Sequence, residues 1–271
     1  MKLLTLNTHS LMEDNYSHKL NVFLKAIKKH QPDVIALQEV MQPINECESS
    51  YNCITYGKIK SKNGNHGINV AKALKKEGLS YYYVWLGIKK SYSKFDEGVA
   101  LLTKKEPEEI KEICLSRFDE YENWKTRKAL AVRIGKEWFY SVHTGWWGDK
   151  DSPLENQIKV LVNSLPKDCQ AWLMGDFNSI ATEQCTGYDM IVGMGLIDTY
   201  NSALLRDNGI TATKSIDGWK KGDLDDAIRI DYIFCVKKED IKSSYVIFNG
   251  KNEEIISDHY GIIVTVEREI I

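Results

Sequence analysis

The reading of this chain starts from one stretch, Trp172-Leu173-Met174-Gly175-Asp176-Phe177-Asn178. An apolar run of strand length ends in a glycine, and a carboxylate and a carboxamide follow at i and i+2. On an extended backbone neighbouring side chains alternate faces, so Asp176 and Asn178 point one way and Phe177 points back toward a core. Two oxygen donors delivered together at the end of a buried strand suit a hard cation and a phosphate. Gly, Asp and Asn are also turn residues, and taken alone the stretch reads more readily as a strand-ending turn. The remainder of the chain reverses that preference.

With 271 residues and 43% hydrophobic content, the chain can bury a sizeable core. A net charge of −2 argues against a protein built mainly to grip nucleic acid. The start, Met1-Lys2-Leu3-Leu4-Thr5-Leu6-Asn7, turns polar too soon for a signal peptide, and no run approaches membrane-spanning length. The six cysteines are scattered without a CxxC, as expected of free thiols in a reducing cytosol. A cytoplasmic protein with no membrane partner is the expectation.

Residues 2–8 read as a strand ending at Asn7. Leu20, Phe23, Leu24 and Ile27 follow an amphipathic helical pattern closed by Pro32. Residues 33–39 form a second buried strand ending at Glu39, and residues 43–66 read as loop. A helix over 67–77, strands over 81–88 and 97–103, and a hairpin of 128–134 with 137–143 follow. Ser152-Pro153-Leu154-Glu155 matches a capping box opening a helix to Leu165. A helix over 182–194 and strands over 229–236, 245–248 and 262–267 complete the chain. Strands outnumber helices, hairpins mix with strand–helix units, and no linker divides the sequence. Paired sheets with helices outside, in one domain spanning 1–271, are expected.

Several of these strands end in polar residues that a core does not need: Asn7, Glu39, His143, and Asp176 with Asn178. Asp231 places a carboxylate inside the apolar run Arg229-Ile230-Asp231-Tyr232-Ile233-Phe234, and a buried carboxylate needs a partner. His259, in Ser257-Asp258-His259, is an available one. Each of these taken singly is explained as well by a turn, a solvated face or a satisfied core histidine. Together, Leu6-Asn7, Leu37-Gln38-Glu39, Gly175-Asp176-Phe177-Asn178, Arg229-Ile230-Asp231-Tyr232 and Ser257-Asp258-His259 resemble the endonuclease/exonuclease/phosphatase superfamily, in its motif order.

The resemblance implies an α+β fold, a four-layer α/β/β/α sandwich of two mainly antiparallel, mixed sheets with helices outside. It also implies phosphoester hydrolysis dependent on Mg²⁺, with Mn²⁺ as a substitute. Glu39 would be the principal metal ligand, with Asn7 and Asp258 nearby. Asp176 and Asn178 would orient the water or the phosphate. His259, polarised by Asp231, would act on the attacking water or hold a phosphate oxygen. His143 and Glu97 would form a second pair facing the leaving group, and Arg127 would contact the scissile phosphate together with Asn178.

Within the superfamily the chain is most similar to a bacterial group of sugar-phosphate phosphatases typified by maltose 6′-phosphate phosphatase. That similarity rests on pieces such as Trp124-Lys125-Thr126-Arg127-Lys128, Gly145-Trp146-Trp147 and Gly187-Tyr188-Asp189. It implies a phosphorylated sugar as substrate, with Trp146 and Trp147 as a platform for the sugar ring and Trp124 and Trp219 as weaker candidates. Thr8-His9 and the Cys47–Cys53 loop have no counterpart in that group. A nuclease is the competing enzyme, and would need a basic track from Lys58, Lys60, Lys62 and Lys220-Lys221. The acidic runs Glu106-Pro107-Glu108-Glu109 and Asp223–Asp226 offset that track. A non-catalytic binding module on the same fold is the third reading, against which the full set of carboxylates and both histidines speaks.

Overall fold

The computed structural model describes residues 1–182, 186–213, 216 and 227–270. Trp219, Lys220-Lys221, Asp223–Asp226 and Cys185 lie outside the described residues. The strands in chain order are β1 (Lys2–Asn7), β2 (Val34–Pro43), β3 (Ile54–Tyr56), β4 (Tyr82–Ser91), β5 (Phe95–Thr103), β6 (Glu109–Cys114) and β7 (Lys128–Ile134). They continue with β8 (Glu137–His143), β9 (Gln170–Asp176), β10 (Ile197–Asp198), β11 (Leu205–Arg206), β12 (Asp231–Cys235), β13 (Ile241–Ile247) and β14 (Gly261–Val266). The helices are α1 (Tyr16–His30), α2 (His66–Lys76), α3 (Leu154–Asn163), α4 (Gly187–Gly193) and α5 (Thr199–Ser202).

Among the described residues the strands form two mixed sheets, ordered β11-β13-β14-β1-β2-β5-β4-β3 and β10-β12-β9-β8-β7-β6. Alternation along β1 explains the layering. Leu3 faces the other sheet, packing with Val132, Phe139, Trp172 and Met174, whereas Leu4 and Leu6 face α1 and α2. The other sheet buries its outer face under α3 and α4, where Leu154, Ile158, Leu161 and Ile191 meet Ala131, Tyr140 and Leu173. These are the four layers that the sequence implied.

Topology brings the functional strand ends to one edge. β1 and β2 run parallel through the α1 crossover, as do β8 and β9 through α3. The ends of β1, β8 and β9 therefore carry Asn7, His143 and Asp176 to the same side. β12 and β14 are antiparallel to those strands and begin there, so Asp231 lies opposite Asp176 and Ser257 donates to the Asn7 carbonyl at 2.7 Å. Below this edge Gln38 ties the sheets together. Its Nε2 donates to Ser141 Oγ at 3.0 Å, its Oε1 accepts from Thr5, and Ser141 donates to the Leu37 carbonyl. A buried polar network of this kind is stabilising only when its members are satisfied, and these are.

Three local expectations are corrected, and one strand is added. Glu39 does not end its strand: β2 runs to Pro43, and its register shifts between Leu37 and Val40. Ile35, Leu37 and Val40 all face the helices, so the extra residue of this bulge turns Glu39 to the same side as Gln38. Residues 43–66 are not simply loop, because β3 adds an edge strand and Asn65 caps α2 by accepting from Ile68 N. The capping box does not form: Pro153 precedes α3, and the Ser152 hydroxyl accepts instead from Gln157 Nε2 at 3.1 Å. The edge strand β6 was not foreseen.

Candidate active site

The paired sheets enclose a cleft of about 200 Å³ lined by Glu39, Glu97, Arg127, His143, Asp176, Asn178 and His259, with Trp146 at its rim. Lys89, Lys90, Ser91, Tyr92 and Trp124 complete its wall. At the centre, Asn7 Nδ2 donates to Glu39 Oε1 at 3.0 Å and to Asp176 Oδ2 at 3.2 Å. His259 Nδ1 lies 2.9 Å from Asp231 Oδ2, and its Nε2 lies 3.8 Å from Asp176 Oδ2. His143 Nε2 reaches the same Asp176 oxygen at 3.6 Å. Asp176 is thus the hub of the site. Its Oδ1 accepts from the Asn178 backbone N–H at 2.9 Å, and Asn178, in the left-handed region at φ 47°, donates its amide to the Thr144 carbonyl at 3.0 Å.

Burial and crowding set the charges. Glu39 is pushed up to about 7 by burial, with Glu97 and Asp258 adding to the effect. Asp176 is pushed up to about 7 by burial, with Asp231 adding and His259 opposing. For His259 burial favours the neutral ring, but Asp231 and Asp176 outweigh it and hold the imidazole well above its ordinary value. His143 moves the other way: burial, then Arg127 and Lys89, keep it well below. The two histidines therefore differ in charge near neutral pH, one imidazolium and one neutral imidazole.

Two carboxylates driven to about 7, each by burial and then by other acids beside it, describe a site with too much negative charge for its dielectric, which is the donor chemistry a hard dication fits. Asn7 turns its NH₂ toward both carboxylates, so ligation through its oxygen requires the amide to turn over. Asp258, foreseen beside Glu39, also belongs to a compact set with His9 and Glu13, whose donor atoms lie within 4.8 Å of one another. His9 Nδ1 is 2.8 Å from Glu13 and 4.0 Å from Asp258, and these acids with Glu39 raise it to about 9 against the effect of burial. Thr8-His9 thus lies against the site, although its sequence offered nothing to map.

Two foreseen relationships are corrected. Glu97 does not pair with His143: it lies third in β5 rather than at its start, and it faces Lys89 Nζ at 3.3 Å. Of the Trp-Trp pair, Trp146 lines the cleft with Trp124, ring centroids 5.8 Å apart, whereas Trp147 is 44% exposed and lies off the cleft wall. Trp146 also stacks over the Arg127 guanidinium at 5.5 Å, and its buried indole N–H has no protein acceptor among the described residues. Arg127 is 4% exposed, with its Nε on the Thr144 carbonyl and Nη1 on the Trp124 carbonyl. Sequence reading missed Lys89 and the role of Thr211. The Thr211 hydroxyl accepts from both Ile230 and Asp231 N–H, and its carbonyl accepts from Tyr260 N–H, fixing Asp231 against His259. Lys58 and Lys62, candidates for a basic track, sit off the cleft and pair with Asp119 and Asp96.

A two-sheet sandwich with a carboxylate–histidine cleft at one edge is the architecture of phosphoester-cleaving enzymes related to DNase. The chain belongs to the Endonuclease/Exonuclease/phosphatase family, which it matches over residues 4–259. Members of this family are generally hydrolytic phosphoesterases and commonly use divalent metals. An endonuclease/exonuclease/phosphatase family protein from Leptotrichia buccalis is 32% identical, with a TM-score of 0.89 over 99% of this chain and 100% of that one. A mannosyl-6-phosphatase from Bacteroides thetaiotaomicron shares the fold at 19% identity and TM-score 0.68, over 99% of this chain and 100% of that one. The 3′ phosphatase NExo from Neisseria, solved with a product DNA hairpin, does so at 17% identity and TM-score 0.63, again over 99% and 100%. No curated protein matches the sequence. Among the described residues, no helix is long and apolar enough to cross a membrane.

Proposed function

We propose that the cleft hydrolyses a phosphomonoester carried by a sugar, of the maltose 6′-phosphate kind. The observation that carries this reading is the meeting in one cleft of an acidic centre, a His259–Asp231 dyad, a backbone-anchored Arg127 and an aromatic rim. Glu39 and Asp258, with Asn7 once its amide turns, would hold Mg²⁺ or Mn²⁺. Such an ion neutralises phosphate charge and stabilises the charge that develops on phosphoryl transfer.

The protein groups divide the remaining work. His259, held as imidazolium by Asp231, donates its Nε2–H to a phosphate oxygen. Asp176, poised near neutrality, accepts a proton from the attacking water. Arg127, anchored through Nε and Nη1 on backbone carbonyls, presents Nη2 to the terminal oxygens while Trp146 holds the guanidinium from one face. Asn178 completes the oxygen-facing wall. Neutral His143 stands beside Asp176, where it can hydrogen-bond the leaving oxygen. Trp124 and Trp146 offer the sugar an apolar platform.

The test is phosphate release from a panel of sugar phosphates, run beside plasmid nicking. Release that EDTA abolishes and Mg²⁺ or Mn²⁺ restores is expected. Nicking without phosphate release would instead make the protein a nuclease, and neither activity would make it a binding module. A rate indifferent to chelator would remove the cation from the reaction. The aromatic rim has its own expected result: Trp146→Ala raises KM for the sugar phosphate about tenfold, an aromatic contact's worth, with little change for a small alkyl phosphate. Trp147→Ala changes neither. Equal KM losses on both substrates would return Trp146 to a packing role.

A further inference from the structure

Lys89 is a buried cation that the mechanism above does not use. It is 7% exposed, yet it lines the cleft. Regular alternation along β4 would not put it there, because Tyr83 and Trp85 face the helix layer and Lys89 shares their parity. The register shifts between Gly87 and Lys89, so Lys89 pairs with Glu97 across the strands and joins it on the cleft side. This is the second bulge at the site, after the one that turns Glu39 inward.

The ammonium has three donors. One faces Glu97 at 3.3 Å and one the Trp124 carbonyl at 2.9 Å. The third has no protein partner among the described residues. Arg127 Nη1 donates to the same Trp124 carbonyl at 3.0 Å, so the two cationic nitrogens are no further apart than those two bonds laid end to end. Like charges held this close, one bearing an unspent donor, form a seat for a strongly charged anion. A phosphomonoester offers three terminal oxygens and a charge approaching −2 at neutral pH. A diester offers two terminal oxygens and a single charge.

Resting on the phosphoester-hydrolase reading, we propose that Lys89 and Arg127 form a two-cation clamp on the terminal oxygens, and that Lys89 sets a preference for monoesters over diesters. Arg127, with its Nε and Nη1 on backbone carbonyls, reaches the terminal oxygens through Nη2, and Lys89 meets another of them as a point charge. Glu97 is then a positioning residue that holds the ammonium in line.

The test compares kcat/KM for p-nitrophenyl phosphate and bis(p-nitrophenyl) phosphate, which share a leaving group, and the inhibition constant of inorganic phosphate. Losing one charge-assisted hydrogen bond should lower the monoester-to-diester ratio about 30-fold in Lys89→Gln and weaken phosphate inhibition comparably. Lys89→Arg should recover most of both. Because Lys89→Gln leaves Glu97 without its partner, the double substitution Lys89→Gln/Glu97→Gln is measured beside it, and the same fall is expected. A ratio and an inhibition constant within threefold of wild type in both variants overturn the clamp. Wild-type protein that cleaves neither ester and releases no phosphate from the sugar-phosphate panel overturns the hydrolase reading itself, whatever the variants do. If wild type cleaves only the monoester, inhibition by phosphate against that by dimethyl phosphate gives the same discrimination.

Discussion

Glu39→Gln is expected to lower turnover about a thousandfold or more, the scale of losing a charged group from a preorganised site, and to raise the melting temperature of chelator-treated protein at pH 8. The second effect follows from the linkage of protonation to folding. The Glu39 carboxyl titrates at about 7 in the fold against an ordinary 4.5. The folded chain holds that proton more tightly than the unfolded one. Its contribution to stability is full below about 4.5 and is lost as pH rises through about 7. At about 1.4 kcal/mol per pH unit the loss is about 3.5 kcal/mol before screening, which reduces it because the side chain is only partly buried. Glutamine is isosteric and uncharged, so the variant escapes this penalty. Mg²⁺ should therefore raise the melting temperature of wild type more than that of Glu39→Gln. A variant that keeps its activity, or that melts below wild type at pH 8 in chelator, would remove Glu39 from the cation site.

Gly175→Ala carries the largest expected cost to the fold. Gly175 sits at φ +151°, and a Cβ there would come within 1.9 Å of the Val142 carbonyl oxygen on β8 and 3.1 Å of Gln38 Nε2. The carbonyl is backbone inside a sheet and cannot move aside, so the sheet must open at the point where it presents His143 and Asp176. A loss of about 3–5 kcal/mol is expected, the range of severe core disruption, read as a fall in denaturant midpoint. An alanine variant within about 0.5 kcal/mol of wild type, the scatter of ordinary surface substitutions, would mean that β8 and β9 do not approach this closely. The same variant should lose activity in proportion beyond its folded fraction, because Asp176 follows directly in the chain.

What the sequence made legible and what it hid have a common cause. Asn7, His143, Asp176 and Asp231 lie at the ends or starts of regular strands, where an apolar run meeting a polar residue marks both the element and its tip. Their convergence followed from motif order. Glu39, Lys89 and Glu97 lie inside strands, and two of them owe their direction to bulges. A bulge is set by the neighbouring strand, so strict alternation assigns such a side chain to the wrong face. Pattern reading therefore ends the strand at Glu39 and gives Lys89 no place in the site, while the pairing of Glu97 with His143 rests on the family resemblance alone. Trp124 reaches Trp146 only because β7 and β8 bring the segments before and after them together. Periodicity cannot report that contact. The polar segment over 43–66 misled for a different reason: its order comes from partners such as Gln42, which receives the Lys62 N–H and the Asn65 amide.

The reactive groups are divided between the two halves of the sandwich. Asn7, Glu39, Lys89 and Glu97 stand on one sheet, and Arg127, His143, Asp176 and Asp231 stand on the other. Neither half is a partial catalyst. On the proposed function, chemistry requires the two slabs to remain in register, and turnover would gauge their docking. Mild denaturant that lets them drift should silence the enzyme while far-ultraviolet dichroism still reports intact strands.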